Sequence, residues 1–337
     1  MANSQPNVLI VGAGSVGMVT GYHLTLAGAA VTYLVRPGRV DQISRPQTLY
    51  CYDDHSLRTF SKFEVVADAA ELEGRSFDFL FVTLDSATLR APAGLDLLDS
   101  LGKHFRGADT GVVLGSRGLG VRDWFVQQSG LADEQVTSGV IANFAHEEKA
   151  ELPLHEGTKP DLLAEADFAY RNFAPAGFVV DTSSPKVAQA FAELYNKNGE
   201  NICDVVSTDE YEIPVSGTAL VVALEQLGWP GMRDVDPDNE TWRLATAAMA
   251  EIQRLPVFGE AGVASSEKLD ARTSHRTLLE FAETLKPLDF IGFTRYHHGG
   301  KLQQQTRRTL RDALERGKAA GQEMPALQEL VKRISAA

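Results

Sequence analysis

The sequence is poor in cysteine and in positive charge, and both shortages narrow what the protein can be. Two cysteines, Cys51 and Cys203, are too few for a disulfide framework, and no cysteine–histidine spacing typical of a metal site is present. Lys and Arg number 32 against 45 Asp and Glu, which gives a net charge of −13. The first observation means that no metal is expected. Because nucleic-acid binders need a basic surface, the negative net charge means that no nucleic-acid partner is expected either.

Long apolar runs are also missing. No stretch approaches about 18 consecutive apolar residues, so no membrane-spanning helix and no membrane partner are expected. The N-terminus lacks a charged start followed by an apolar core, which predicts no secretory signal and a cytoplasmic protein. With 337 residues, 44% of them hydrophobic and 23% charged, the composition is typical of a globular protein of about two domains.

The beginning of the chain contains a complete strand–glycine turn–helix–strand pattern. Residues 7–11 (NVLIV) read as a strand buried on both faces, and 30–35 (AVTYLV) read as a second one. The glycines of the intervening GxGxxG turn permit a tight turn, close approach to a pyrophosphate and close helix–strand packing. A glycine-rich turn without a nucleotide is the alternative. The predicted dinucleotide-binding residues are Gly12, Ala13, Gly14, Ser15, Val16 and Gly17.

The end of the second strand favours NADP(H) over NAD(H). NAD sites usually place Asp or Glu there to bind the ribose 2′-hydroxyl, whereas this strand is followed by Arg36 and Arg39 around a Pro-Gly turn. A guanidinium can bind the 2′-phosphate and stack on adenine. The alternative is that both arginines are ordinary solvated charges of a loop.

The chain resembles the ketopantoate reductase family (2-dehydropantoate 2-reductases and their relatives), most specifically in its N-terminal third. The shared motifs are VLIVGAGSVG at 8–17, VTYLVRPGR at 31–39, FDFLFVTLDSATL at 77–89 and SRGLG at 116–120, with a later echo in Gly321…Pro325. The resemblance implies an α/β fold, with an N-terminal Rossmann-type dinucleotide-binding domain and an all-helical C-terminal domain. It also implies an NADPH-dependent reductase with its active site between the domains and with Thr83 and Leu84 beside the cofactor.

The chain departs from the family pattern at the residues that carry the chemistry. Asp85 stands where the family has a cofactor-side lysine, and Arg117 stands where it has an asparagine. The stretch 207–218 matches the helix that carries the family's catalytic lysine, yet it contains no lysine, and Gln305 replaces a substrate-side glutamate. The resemblance therefore extends to fold and cofactor, and ketopantoate itself is not expected as the substrate.

The spacing of apolar residues changes from strand-like to helix-like after residue 206. We therefore predict an NADP-binding Rossmann-type domain over 1–206 and a helical domain for substrate binding and dimerisation over 207–337.

Shorter elements are predicted within both parts. A hairpin is expected within 46–66, and amphipathic helices are expected to include Leu278, Leu302 and Leu327. His146 and His155 lie in a polar stretch and are expected to be solvated.

The segment 296–301 (YHHGGK) is the candidate source of the proton that reduction of a carbonyl requires. Tyr, His and Lys side chains can donate a proton, and a Gly-Gly turn can bring a loop close to a ligand. Arg117 could bind a substrate carboxylate. The alternatives are a surface turn with incidental histidines, and an Arg117 that contacts phosphate, solvent or Asp85. The candidate catalytic residues are Tyr296, His297, His298, Lys301 and Arg117.

Two functions of different classes are consistent with these residues. The first is an NADPH-dependent oxidoreductase that acts on the CH–OH or C=N group of a small carbonyl, hydroxy or imine compound. Amino- or imino-acid oxidoreduction, with Arg117 holding a carboxylate, is one form of it. The second is a non-catalytic NADP-binding sensor or regulator, which the missing lysine favours and the donor cluster disfavours. A small molecule is the expected partner, and the sequence leaves a homodimer open.

Overall fold

The computed structural model describes residues 5–336, which divide into two compact units. The first unit contains the residues up to Lys149 together with Gly157–Ser207, and the second contains Ala150–Glu156 together with the residues from Thr208 onward. The sequence predicted a single division after residue 206. The structure differs from this prediction in that Ala150–Glu156 belongs to the helical unit.

Contacts within the second unit account for this difference. His155 Nε2 lies 2.7 Å from Asp289 Oδ2, and an ideal Cβ on Gly292 would lie 2.5 Å from Pro153 Cδ. The short segment is thus held by a side-chain hydrogen bond and by a close contact that only glycine permits. The expectation that His155 is solvated is correct only in part, because its side chain is 33% exposed but also hydrogen-bonds Asp289.

The strands of the first unit form a large sheet and a smaller one. The large sheet has the order β5-β2-β1-β6-β7-β8-β11-β12, and the smaller sheet has the order β4-β3-β10-β9. The strands are β1 (Asn7–Val11), β2 (Ala30–Leu34), β3 (Gln47–Cys51), β4 (Ser56–Phe60), β5 (Glu64–Val66), β6 (Phe79–Val82), β7 (Gly111–Leu114), β8 (Val136–Ile141), β9 (Phe144–Glu147), β10 (Phe168–Arg171), β11 (Ala176–Asp181) and β12 (Ile202–Val206).

The large sheet has Rossmann topology. The strands from β5 to β8 pair in parallel, and β11 pairs antiparallel to β8. Their order reverses between β1 and β6, which is the point where dinucleotide-binding sheets hold their ligand. The fold class predicted from the sequence is confirmed.

Helices cover both faces of the large sheet. On one face, α1 and α7 pack over residues such as Ile10 and Tyr33; on the other, α3, α4 and α5 pack over residues such as Leu9 and Leu80. The helices of this unit are α1 (Ser15–Leu26), α2 (Val40–Ile43), α3 (Ser86–Arg90), α4 (Pro92–Phe105), α5 (Val121–Ser129), α6 (Pro160–Ala164) and α7 (Pro185–Tyr195).

The smaller sheet packs against α1 through β9 and β10. Its β3 and β4 form the predicted hairpin, while β5 joins the large sheet. His146 in β9 is only 2% exposed, which overturns the expectation that it is solvated. Its Nδ1 donates to the Glu147 carbonyl oxygen at 2.9 Å, and its Nε2 accepts from the Tyr52 hydroxyl at 3.0 Å. These two hydrogen bonds replace the water that the imidazole loses on burial.

The described residues of the second unit form helices joined by loops, and none of them forms a strand. Its core includes Trp242, Leu310 and Leu327, each fully buried, and the helices predicted around Leu278, Leu302 and Leu327 are present as α12, α14 and α15. The helices are α8 (Thr208–Glu212), α9 (Thr218–Gln226), α10 (Glu240–Gln253), α11 (Gly259–Ser266), α12 (Ala271–Thr284), α13 (Phe290–Thr294), α14 (Gln303–Ala319) and α15 (Pro325–Ala336).

Candidate functional site

The turn between β1 and α1 depends on glycine at its first position. Gly12 has a φ of +100°, a backbone conformation that other residues rarely adopt. An ideal Cβ on Gly12 would lie 2.5 Å from Thr83 Oγ1 and 3.2 Å from Leu84 Cδ2. Thr83 Oγ1 in turn donates a hydrogen bond to the Val11 carbonyl oxygen at 2.8 Å. The structure thus places Thr83 and Leu84 directly beside the glycine turn.

The N-terminus of α1 fits an anionic group. In this helix, which lies wholly within the described residues, no side chain caps the N-terminus at Gly14 and no acidic residue occupies the first turn. The unsatisfied N–H groups and the dipole of such a helix end attract phosphate. An ideal Cβ on Gly17 would lie 2.2 Å from the Gly12 carbonyl oxygen, so glycine permits the close approach of helix and strand. Ala13, Ser15 and Val16 complete a turn whose residues fit a pyrophosphate.

The two arginines follow β2 at its carboxyl end. Arg36 is exposed and has extended backbone, and it precedes a short 3₁₀ turn at Pro37–Arg39. Arg39 is half-buried, and its backbone N–H donates to the Arg36 carbonyl oxygen at 2.8 Å. The turn therefore places Arg36 and Arg39 close together in the chain at the carboxyl end of β2.

The ends of β6 and β7 meet at the same edge as the glycine turn. Ser116 Oγ donates a hydrogen bond to the Leu84 carbonyl oxygen and ties the two loops together. Arg117 lies next to Ser116, half-buried, in the loop before α5. Because parallel strands end at one edge, Arg117 lies where ligands of such sheets bind.

Asp85 has a local structural role at this edge. Its Oδ1 accepts the backbone N–H groups of Ala87 at 3.0 Å and Thr88 at 2.9 Å, so the carboxylate caps α3. Its Oδ2 accepts the Thr88 hydroxyl at 2.6 Å. The residue that replaces the family's lysine is thus committed to the helix that follows it.

The segment that contains Tyr296, His297, His298 and Lys301 is helical. Arg295–Lys301 forms a π-helical turn that runs between α13 and α14, with the Leu302 N–H donating to the His297 carbonyl oxygen at 2.7 Å. The expectation of a Gly-Gly turn is therefore wrong. Gly299 instead permits the Trp229 ring to pack closely against this segment, because an ideal Cβ on Gly299 would lie 2.6 Å from Trp229 Cζ2.

Both histidines of the π-helical segment are held by neighbours. The His297 ring stacks on Phe293 with centroids 5.4 Å apart, and His298 Nδ1 lies 3.2 Å from the Thr306 hydroxyl oxygen. Burial, with the positive charges of His298 and Lys301, lowers the pKa of His297 to about 3. Burial lowers the pKa of His298 to about 4. Both imidazoles are therefore neutral at neutral pH.

The remaining predicted residues of this segment lie at its two ends. Tyr296 is half-buried, whereas Lys301 is exposed and is separated from α14 by Leu302 alone. Lys301 follows His297 by four residues in the π-helical turn, and its positive charge contributes to the lowered pKa of His297. The four candidates thus share one turn of the second unit, while Arg117 and the nucleotide-binding candidates share one sheet edge of the first unit.

The start of α14 carries a polar cluster that sequence reasoning missed. Glu225 Oε1 accepts a hydrogen bond from Gln303 Nε2 at 2.7 Å and from Arg307 Nη2 at 3.2 Å. These contacts fix the helix that follows Lys301. The only sequence signal was the helical spacing of Gln303 and Arg307, which does not reveal a partner on α9.

The stretch 207–218, which matches the family's lysine helix, contains neither lysine nor histidine. It is broken by a 3₁₀ turn at Ile213–Gly217, where Pro214 interrupts the helix. Ser216 is fully buried; its hydroxyl donates to the Ile213 carbonyl oxygen at 2.7 Å and accepts from Gln253 Nε2 at 2.9 Å. Ser216 is therefore part of the core of the helical unit.

Residues 5–336 form neither a candidate metal cluster nor a candidate membrane-spanning helix. Within that range no group of three or more His, Cys, Asp or Glu residues is placed to hold a metal ion. Within the same range no helix combines the length and the hydropathy needed to cross a membrane.

Comparisons with solved structures show that the fold is shared along nearly the whole chain. 2-Dehydropantoate 2-reductase from Methylococcus capsulatus is 16% identical with a TM-score of 0.68, and the alignment covers 98% of this chain and 96% of that one. The enzyme of the same name from Geobacter metallireducens is 15% identical with a TM-score of 0.64, covering 97% and 99%. D-Mandelate dehydrogenase with NADH and anilino(oxo)acetate is 15% identical with a TM-score of 0.63, covering 98% and 97%.

Comparisons of sequence give a narrower match. No curated protein matches the chain significantly. The family model of ketopantoate reductase PanE/ApbA matches residues 8–166, which include the glycine turn, both arginines, Thr83 and Arg117. Residues 8–166 thus match the ketopantoate reductase PanE/ApbA family, and the family resemblance seen in the sequence is confirmed for that part of the chain.

Proposed function

We propose that the protein is an NADPH-dependent oxidoreductase that reduces a small carbonyl or imine compound other than ketopantoate. The observation that carries the proposal is the glycine turn, where a positive φ, an uncapped helix and small residues fit a pyrophosphate. The fold supports the reaction class, because it is that of 2-dehydropantoate 2-reductases and of D-mandelate dehydrogenase.

The choice of NADPH is supported by the corner after β2. Arg36 is exposed there, and the chain offers no carboxylate before Asp41 to bind a ribose 2′-hydroxyl. A guanidinium binds a phosphate with two parallel hydrogen bonds, which a hydroxyl cannot match. Arg36 therefore selects the 2′-phosphate, with Arg39 as the second cation.

Lys301 is the proposed proton donor. A bound nicotinamide would supply a hydride to the carbonyl carbon of the substrate, whose oxygen would then require a proton. Because His297 and His298 are neutral at neutral pH, neither presents an imidazolium. The Lys301 ammonium transfers a proton to the oxygen, which gives the alcohol, and then regains a proton from solvent. The Tyr296 hydroxyl lies in the same turn and hydrogen-bonds the substrate in this proposal.

Arg117 is the proposed carboxylate-binding residue. Its place after β7, at the edge that carries the glycine turn, favours a role toward a ligand over one in the core. A guanidinium cannot give up a proton readily, so its role is to orient the substrate. The preferred substrates are thus small 2-oxo or 2-imino acids.

The test is NADPH oxidation measured across a panel of 2-oxo acids, ketones and imines, ketopantoate included. We expect turnover with at least one 2-oxo acid or imine, and a kcat/KM for ketopantoate below about 10⁴ M⁻¹s⁻¹. Efficient reduction of ketopantoate would contradict the assignment of substrate. Tight NADPH binding with no turnover of any compound would replace the reductase by a nucleotide sensor.

A further inference from the structure

The helical unit contains a cavity that the proposed reduction does not use. It has a volume of about 390 Å³, and its lining residues all belong to the second unit. They come from the segment Ala150–Glu156, the loop after α9, the helix α12 and the turn before α13. The volume falls within the range of small-molecule pockets, about 300–1,000 Å³.

Apolar side chains form most of the cavity wall. Leu279, Leu288, Phe290 and Ile291 line it together with Trp229. Trp229 has a φ of +61°, which is rare for a bulky residue, and its N–H donates to the Leu224 carbonyl oxygen at 2.8 Å. Backbone strain of this kind is concentrated at ligand sites. The cavity therefore has a fixed aromatic wall suited to an apolar ligand body.

The segment Ala150–Glu156 closes one side of the cavity through specific contacts. His155 Nε2 lies 2.7 Å from Asp289 Oδ2, and Asp289 Oδ1 accepts the Gly292 N–H at 2.5 Å. Asp289 thus anchors the segment and caps α13 at once. The wall is built by long-range hydrogen bonding, and the cavity is preformed.

Two cations lie at the cavity and share one carboxylate. Arg233 donates from Nε and Nη2 to Glu283 Oε1 at 3.2 and 3.1 Å, and Lys286 Nζ donates to Glu283 Oε2 at 2.6 Å. Among the described residues, Arg233 Nη1 makes no hydrogen bond. Both cations can therefore accept a second anion. The carboxylates of Asp234 and Asp289 also line the cavity, so attraction for an anion is confined to the neighbourhood of Arg233 and Lys286 and suits one negative charge at most.

We infer that this cavity binds a small monocarboxylic acid with an apolar body. The body packs against Trp229, Leu279 and Phe290, and the carboxylate reaches Arg233 and Lys286. The lining residues are distinct from those of the proposed reductase, because none belongs to the glycine turn or to the π-helical segment; Trp229 alone also packs against Gly299 of that segment.

The first test measures binding of octanoate to the full chain by calorimetry and by tryptophan fluorescence, of which Trp229 is one of three sources. We expect saturable binding in about the millimolar range or tighter. Octylamine, with the same apolar body and the opposite charge, is expected not to bind. The variant Ala282→Phe fills the cavity and is expected to abolish octanoate binding. Thr277→Phe, at an exposed position of the same helix outside the lining, is its matched control.

The second test addresses the charge without altering the core. Arg233 is 74% exposed in its side chain, so Arg233→Gln is expected to fold and to weaken octanoate binding about three- to fivefold. Arg272→Gln, an equally exposed arginine of α12 that pairs with Asp238 outside the cavity, is expected to bind as the wild type does.

Three results would overturn the inference: no octanoate binding, equal binding by Ala282→Phe and Thr277→Phe, or octylamine binding as tightly as octanoate. NADPH affinity and NADPH oxidation are measured separately on the same variants. A failure of the reductase proposal therefore leaves the octanoate result intact, and the converse also holds.

Discussion

Lys301 is the residue on which the proposed chemistry depends most, since the two neighbouring histidines are neutral. Lys301→Gln removes the ammonium but keeps a polar side chain at an exposed position. Loss of one positioned donor typically costs about 100- to 1,000-fold in rate, so we expect kcat to fall by that factor. Steady-state kinetics on the best substrate of the panel measure the change, with NADPH affinity measured alongside.

The matched control for this prediction is Lys318→Gln, which removes an exposed lysine from the far end of α14. It should leave kcat unchanged. A kcat within about twofold of wild type for Lys301→Gln would remove Lys301 from the mechanism.

Arg36 is the residue expected to make the protein bind NADPH more tightly than NADH. A charge-assisted hydrogen bond contributes about 1.5–3 kcal/mol, so Arg36→Ala should weaken NADPH binding by about 10- to 150-fold. NADH lacks the 2′-phosphate, and its affinity should hardly change. Titrating both nucleotides against wild type and variant gives the answer. Equal affinities of the wild type for NADPH and NADH would contradict the assignment.

At the scale of elements, Asp85 stands where the family has a lysine and acts as the N-terminal cap of α3. Asp85→Ala removes the side chain that accepts the N–H groups of Ala87 and Thr88. Loss of such a cap costs about 1 kcal/mol, and Asp85→Asn should retain most of it because an amide oxygen also caps. Urea unfolding of the three proteins measures the difference. An equal loss of stability in Asp85→Asn and Asp85→Ala would show that the negative charge, and not the cap, is what α3 needs.

The elements that sequence predicted well are those specified by neighbouring residues. The turn at Gly12 is signalled locally, because its positive φ and the approach of Gly17 to the Gly12 carbonyl oxygen both lie within one strand–helix unit. The π-helical segment was missed, because Gly299 signals a turn in the sequence but serves the approach of Trp229, which lies 70 positions earlier. The contact that decides its conformation is tertiary and leaves no local pattern.

At the scale of the whole chain, the change in the spacing of apolar residues after residue 206 predicted a sheet-containing unit and a helical unit. It did not predict that a segment from the first part of the chain belongs to the helical unit. The position of Ala150–Glu156 in that unit is fixed by His155 and Asp289, two residues that are each unremarkable in their own stretch. The candidate site shows the same limit. Glycine and arginine patterns indicated a nucleotide, whereas the polar cluster at Glu225 and the cavity beside Trp229 arise from helix packing.

Buried neutral histidines give the first unit a predictable dependence of stability on pH. His23 is fully buried, its Nδ1 lies 2.8 Å from the Tyr195 hydroxyl oxygen, and burial lowers its pKa from 6.5 to about 3. Burial also lowers the pKa of His146. Because the folded pKa lies below the unfolded one, the unfolded chain binds the proton first as the pH falls. Stability is therefore lost below about pH 6.5, and the loss continues until the folded-state pKa is reached.

His23 alone should cost about 2 kcal/mol of unfolding free energy between about pH 7.5 and about pH 5. Urea unfolding at the two pH values, followed by circular dichroism, measures the loss in wild type and in His23→Gln. The variant has no proton to take up at this position, so its loss between the two pH values should be smaller by about 2 kcal/mol, whatever its stability at neutral pH. His104→Gln, which replaces a half-buried histidine at the end of α4, should retain the wild-type loss. If His23→Gln lost as much stability as the wild type, protonation of His23 in the unfolded chain would not be what weakens the first unit in acid.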